Sequence, residues 1–307
     1  MDVWSKAIVA AVERVRPSVL HVTSQDDANE RIAFGSGILI DHYHAIATAG
    51  STAAGNNITV RLTDDRQVRA ELVAVDPLYF ISVLKFEERV PIDPAPFGDP
   101  EMSPGQLVLA MGNPTGFDRS VSMGIICGLD RTVYRPERVP VDGLIVTDAS
   151  VHPGNSGGPL ASLEGRILGV NGVPWVNNLS LAVPSDVVLR VANQIIEYGR
   201  ASHPWLGFSG EPEVLDPKLV DLFGLPADRG VVVEYVAPEG PGQAAGIKLF
   251  DMVVRVDGKP VGHLGFIRST LANHRLGEKG TLSVLRADQL IEVPFPVEDI
   301  PRLRELT

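Results

Sequence analysis

The sequence predicts a mainly β protein built from two units. Three observations carry that expectation. Short β-branched runs separated by turn residues recur from about Val19 to Val183, the pattern of an antiparallel sandwich or barrel. The chain holds 30 glycines and 24 prolines in 307 residues, above the usual combined ~12%. After Ser202-His203-Pro204, which reads as a linker, a second series of strand-like runs begins. The expected boundaries are an N-terminal segment over 1–18, a first domain over 19–200 and a second over 205–301.

Taken in order, Trp4, Ile8, Val12 and Val15 recur at helical spacing, so residues 3–16 are expected to form a short amphipathic helix, ended by Pro17. Strands follow at Ile38–Ile40, Ile58–Val60, Leu72–Val75, Leu107–Ala110, Leu144–Thr147 and Ile167–Val170, punctuated by residues such as Gly35, Gly55, Pro77, Gly105 and Gly165. Residues 185–199 read as a helix, with Ser185 or Asp186 as N-cap. Val187, Val188, Val191 and Ile195 share one face of it, and Gly199 closes it. In the second unit, strands are expected at Gly230–Val236, Met252–Val256 and Thr281–Arg286, with a helix near Phe266–His274.

Composition narrows the function. Charged residues make up 21% and apolar ones 44%, which excludes a disordered chain or a coiled coil. The 27 basic and 38 acidic residues give a net charge of −11. With no Lys/Arg cluster, nucleic-acid binding is not expected. No apolar run reaches the ~18–20 residues that cross a bilayer. The apolar stretch Ala7–Val12 is too short and too early for a signal peptide, so a cytoplasmic location is expected. The single cysteine, Cys127, excludes an internal disulfide, and its apolar surroundings predict a small core residue. No cofactor is called for. The scattered histidines have no metal-ligand spacing, so no metal site is expected.

The sharpest motif is Gly154-Asn155-Ser156-Gly157-Gly158-Pro159, preceded by Thr147-Asp148. A nucleophilic serine needs a tight loop that exposes neighbouring N–H groups to a developing oxyanion, and flanking glycines permit it. Together with Gly35-Ser36-Gly37, Gly112-Asn113-Pro114, Gly124 to Gly128 and Leu181 to Ser185, this segment resembles the HtrA (Deg) family of trypsin-like serine proteases over nearly the whole chain. The resemblance implies a trypsin-like double β-barrel followed by a small α+β PDZ domain.

Two departures decide the expected activity. The family's catalytic histidine corresponds to Ser51, within Thr48-Ala49-Gly50-Ser51-Thr52. Its catalytic aspartate corresponds to Phe80, within Asp76-Pro77-Leu78-Tyr79-Phe80. A serine hydroxyl is a weak nucleophile without a neighbouring base, and loss of triad members leaves only residual catalysis. The expectation is therefore a pseudoprotease that binds unfolded segments or protein C-termini as a chaperone, adaptor or regulator. The alternative is an HtrA-type serine endopeptidase using Ser156 with a non-standard base. His42 and His44 precede Ser51 in sequence, His44 by on the order of 23 Å of extended strand, and are expected to decorate a turn. His152 either lines the vacated cleft or faces solvent. Gly154, Asn155 and Ser156 either keep an oxyanion-type pocket or merely close the barrel.

In the second unit, Trp205-Leu206-Gly207-Phe208 resembles the carboxylate-binding loop of a PDZ domain. There, backbone N–H groups receive a peptide's C-terminal carboxylate and the peptide adds as a strand. Leu206, Gly207 and Phe208 are thus candidate peptide-binding residues, and Ile267 and Leu271 either line the groove or face the core. Phe250 stands where the family has Gly before Asp251. The resemblance implies polypeptide clients, a C-terminal peptide at the PDZ domain, and a homo-trimer or a mixed oligomer with active relatives; Trp4 and Ile8 either serve that contact or pack on their own barrel.

Overall fold

Asp2 starts the first helix, α1 (Val3–Val15), by accepting from the Ser5 N–H at 3.0 Å. A short 3-10 turn over Arg16–Ser18 holds Pro17 and ends it. The face that packs is Ala11 and Val15, whereas Trp4 is exposed. The computed structural model describes all residues except 27–31, 99–101, 114–119, 135–139, 153, 175–178, 226–227 and 302–307. Pro114 of the Gly112-Asn113-Pro114 motif lies outside the described residues.

Two closed barrels follow. The first comprises β1 (Val19–Gln25), β2 (Ile32–Leu39), β3 (His44–Thr48), β4 (Asn57–Arg61), β5 (Gln67–Asp76) and β6 (Ile81–Phe86), in the order β1-β2-β3-β6-β5-β4. Leu20, Val22, Leu39, Ile58, Leu84 and Phe86 fill it, each worth roughly 1.5–3 kcal/mol when withdrawn from water. The second comprises β7 (Leu107–Gly112), β8 (Ser120–Tyr134), β9 (Pro140–Thr147), β10 (Pro159–Ser162), β11 (Ile167–Pro174) and β12 (Ser180–Pro184), in the order β10-β11-β12-β9-β8-β7. Its interior is lined by Val108, Ala110, Ile126, Ile145, Leu160 and Leu168.

Cys127 corrects the expectation of a core thiol. On the twisted β8 it falls on the outward face, between buried Ile126 and Gly128, and is exposed. Partial loss of solvation at the sulfur, reinforced by the Asp148 carboxylate, still pushes its thiol pKa up. Helix α2 (Ser185–Tyr198) buries Val187, Val188, Val191 and Ile195 as its periodicity predicts. It ends at Gly199, whose φ of 75° lies in the left-handed region. Its N-cap position is Pro184 with no side-chain cap bond, not Ser185 or Asp186. The β12 strand runs directly into the helix and leaves no room for an extra turn.

The chain divides into Met1–Ala201 and Ser202–Thr307. The segment read as a linker already belongs to the second unit. The His203 N–H donates to Asp299 at 3.0 Å, and the Trp205 N–H donates to the Glu298 carbonyl at 2.8 Å. The second unit holds β13 (Phe208–Val214), α3 (Pro217–Phe223), β14 (Arg229–Val236), α4 (Pro241–Ala244), β15 (Met252–Val256), β16 (Lys259–Pro260), α5 (Leu264–Leu271), β17 (Lys279–Arg286) and β18 (Gln289–Pro296). The sheet order is β13-β14-β15-β17-β18, with β16 paired to β15, so β13 is an edge strand. Helix α5 begins two residues earlier than its periodicity indicates because His263 caps it, accepting at Nδ1 from the Phe266 N–H at 3.2 Å.

One half-buried ion pair fastens this unit. Asp251, 1% exposed, accepts from Arg286 Nε and Nη2 at 2.7 Å each, and from the Lys248 N–H at 2.7 Å. Its neighbour Phe250 keeps the turn that the family makes with Gly by adopting φ 66°, with its ring 81% exposed. Asp251→Ala leaves Arg286 Nε and the Lys248 amide without their acceptor, while Arg286 Nη2 keeps the Gly246 carbonyl at 2.7 Å. It is expected to lower the stability of the second unit by about 2 kcal/mol, read as a drop in its urea midpoint with the first unit's transition unmoved.

Candidate functional site

The Ser156 loop sits where the two barrels meet, and β2 holds it there. Ser36 is fully buried. Its Oγ donates to the Gly154 carbonyl at 2.6 Å and accepts from the Asn113 N–H at 2.8 Å. Its own N–H donates to the Ser156 carbonyl at 3.1 Å. One residue of the first barrel therefore grips the end of β7 and the loop before β10. Close approach makes the glycines obligatory. A Cβ at Gly112 would lie 2.6 Å from Ser36 Oγ, and one at Gly157 (φ 86°) would strike the Ser36 carbonyl.

Along the loop, the Asn155 N–H donates to His152 O at 2.9 Å, the Gly157 N–H to Asn171 O at 2.9 Å and the Gly158 N–H to Asn155 O at 3.0 Å. The Gly154 and Ser156 N–H groups make no hydrogen bond among the described residues. Two donors thus stand unpaired on either side of Asn155, the pattern needed to receive a carbonyl or carboxylate oxygen. The Asn155 side chain contributes nothing to that pocket, for it is buried against Gly112.

The Ser156 hydroxyl donates to the Gly172 carbonyl on β11. Ser51 is close by: a Cβ built on Gly35 would lie 3.0 Å from Ser51 Cβ and 3.5 Å from the Ser156 carbonyl. Ser51 is only 1% exposed, and its hydroxyl donates to Thr48 O at 2.8 Å. Phe80 follows a turn that Asp76 closes by accepting from the Tyr79 N–H at 2.7 Å. It is 50% exposed, with φ 55°. The structure thus brings Ser51 to Ser156, but neither carries a group that takes a proton at neutral pH.

The histidines do not fill that gap. His42 Nδ1 meets Val90 O at 3.0 Å, and His44 Nδ1 pairs with Asp41 at 2.9 Å. His152 is exposed, with no side-chain contact to Ser156 among the described residues. No metal-holding group of His, Cys, Asp and Glu occurs among the described residues.

In the second unit, Leu206, Phe208, Ile267 and Leu271 are all buried in the core, with the Phe208 and Phe295 rings edge-to-face at 6.0 Å. What the loop presents is main chain. Gly207 adopts φ 63°, and its carbonyl accepts from the Ala237 N–H at 2.8 Å. The Leu206 and Gly207 N–H groups make no hydrogen bond among the described residues. Sequence reasoning missed Ser36 and Gly172. Gly35-Ser36-Gly37 marks close packing, but nothing local tells which strand Ser36 meets, 118 residues away.

Comparison with known proteins agrees with this architecture. Residues 35–170 match the trypsin-like peptidase domain, and residues 205–297 match the PDZ domain. A protein of Halomonas elongata named as a probable periplasmic serine endoprotease, DegP-like, is 35% identical over 91% of this chain and 59% of its own length. A relative of the same name from Pseudomonas putida is 32% identical over 94% of this chain and 61% of its own. The chain therefore spans about three-fifths of these curated relatives. Among solved structures, the HtrA-type protease AlgW with tripeptide is 28% identical, with a TM-score of 0.73, over 96% of this chain and 97% of that one. The serine endoprotease from Yersinia pestis is 26% identical, with a TM-score of 0.64, over 95% and 98%. The chain belongs to the HtrA/Deg family of trypsin-like proteins with a PDZ domain. The expectation of a cytoplasmic location is overturned by the relatives, which are named periplasmic. No described helix is long and apolar enough to cross a membrane.

Ser36→Ala removes the donor to Gly154 O and the acceptor for Asn113 N–H inside a closed interface. It is expected to lower the first unit's stability by about 2 kcal/mol, measured by urea denaturation. A change below roughly 0.5 kcal/mol, the scale of ordinary surface substitutions, would show that the clamp does not hold the loop.

Proposed function

We propose that this HtrA-type protein binds polypeptide chains without hydrolysing them, through main-chain donors in both of its units. One observation carries the reading. At the positions of the family's base and its orienting acid stand Ser51, with its hydroxyl committed to Thr48 O, and Phe80. General-base assistance contributes typically 10²–10⁴-fold, and neither side chain supplies it. The Ser156 proton lies on a carbonyl, Gly172 O, which cannot accept it outright in a reaction. The unpaired amides at Gly154 and Ser156 retain the capacity to hold a carbonyl oxygen. Those at Leu206 and Gly207 retain the capacity to hold a chain-end carboxylate, with β13 as the edge to which a peptide strand adds. The proposed setting is the periplasm, as in the names of the relatives. Assembly into a trimer, or with active relatives, is supported by the exposed Met1, Val3 and Trp4 of the N-terminal segment.

A second reading, HtrA-type endoproteolysis with a non-standard base, is favoured by the names of the relatives, which are serine endoproteases. It requires a proton acceptor to reach Ser156, and His152, four residues away, is the nearest histidine in sequence.

Casein cleavage and fluorophosphonate labelling of the full chain separate the two, with Ser156→Ala as control. The expected outcome is no signal above the control. Installing Ser51→His together with Phe80→Asp should then raise Ser156-dependent hydrolysis by at least ~10²-fold. Labelling of the unaltered chain that Ser156→Ala abolishes would establish the second reading, and its loss in His152→Ala would name the base.

A further inference from the structure

The sheet of the second unit ends at β13, the strand that directly follows the Leu206 and Gly207 amides. Proline has no N–H, so in a sheet it sits where the missing donor faces away from the neighbouring strand. Pro212 pairs with Val231 of β14, and its nitrogen therefore lies on the free edge. Main-chain groups two residues apart along a strand point the same way, so those of Gly210 share that edge. The edge offers a donor and an acceptor at Gly210 but an acceptor alone at Pro212.

Glu211 and Glu213 flank this proline. They share one face of the strand, and both are exposed. Neither has an ion pair or a hydrogen bond among the described residues. The one base on β14, Arg229, pairs with Val214 and so lies on the opposite face. Two carboxylates thus border the free edge with no counter-charge from the strand beside them. The loop sets the register of whatever adds there. A carboxylate at the Leu206 and Gly207 amides puts a peptide's terminal residue beside Phe208, and the peptide runs back along β13 antiparallel to it. The third-last residue then faces Gly210, the fourth-last Glu211, the fifth-last Pro212 and the sixth-last Glu213. Residues directly opposed across two strands share a face, and opposite charges there attract.

Resting on the proposed capture of chain ends by the second unit, we infer that Glu211 and Glu213 determine which chain ends it takes. The ligand is a C-terminal tail with lysine or arginine at its fourth-last and sixth-last positions. Main-chain pairing is full as far as the third-last residue and loses a donor at Pro212. Upstream of that point the choice among tails falls to charge.

The test uses the full chain and two peptides with free carboxylates, acetyl-Lys-Ala-Lys-Ala-Ala-Val and its counterpart with serine for both lysines, titrated by NMR at low salt. The unaltered protein is expected to prefer the lysine peptide by ~10-fold, about threefold for each opposed pair. In the double variant Glu211→Gln with Glu213→Gln the preference should shrink to within about twofold. Glu87→Gln with Glu88→Gln, an equal change of net charge on the exposed surface of the first unit, should leave it in place. Pro212→Ala supplies the missing donor and should tighten the serine peptide by about fivefold. Equal binding of the two peptides overturns the inference while leaving chain-end capture intact. So does a preference that survives the Glu211 and Glu213 changes, or one that falls as far with the Glu87 and Glu88 changes. No tightening in Pro212→Ala overturns the register on which it rests. If neither peptide binds, or if amidating the terminal carboxylate leaves binding unchanged, chain-end capture itself fails, and the inference with it.

Discussion

The first unit depends on one buried hydroxyl. Ser36 Oγ reaches from the first barrel to the Gly154 carbonyl and the Asn113 amide of the second, and the Ser36 amide holds the Ser156 carbonyl. Each barrel closes on itself and buries its own core. Neither closure fixes the peptide planes of the Ser156 loop. That is done across the interface, where an unpaired polar group would cost 1–3 kcal/mol. Among the described residues, the Gly154 and Ser156 amides have no acceptor, whereas those of Asn155, Gly157 and Gly158 are all engaged.

The same device recurs in the second unit on unrelated elements. At Leu206 and Gly207, a left-handed glycine turns the chain so that consecutive amides are left without acceptors, while the apolar side chains on either side sink into the core. In both places the loop presents main-chain donors and the side chains beside them are buried. Side-chain substitution in such a site removes chemistry selectively. A hydroxyl at Ser51 and a ring at Phe80 carry no imidazole or carboxylate, whereas the amide donors of the loop do not depend on either side chain.

Much of this was legible in the sequence. The strand runs, the glycines of the Ser156 loop and the apolar face of α2 each reflect local rules of period and turn chemistry, and each is found where those rules place it. What escaped reading depended on distant partners. Cys127 lies in an apolar run yet faces outward, because the strand's alternation rather than its composition decides exposure. Leu206 and Phe208 carry the right chemistry for a groove, but Val231, Val253 and Phe295 draw them inward, while Ile267 and Leu271 take the core-facing alternative that the sequence left open. Helix α5 began early because a histidine served as its cap, a residue outside the usual capping set. Ser36 gave no sign of its role, since a serine between glycines reads alike whether it meets solvent or a second barrel.

The 118 residues that separate Ser36 from Gly154 set the order in which the molecule can be made. Chains emerge at roughly 5–20 residues per second, so the first barrel is exposed for something like ten seconds before its counterpart exists. During that interval Ser36 has no partner and the receiving amides have not been synthesised. The cleft can therefore form only after every strand of the first barrel has been made. A chain that ends between β6 and β10 carries the strands of the first barrel but not the loop that Ser36 holds.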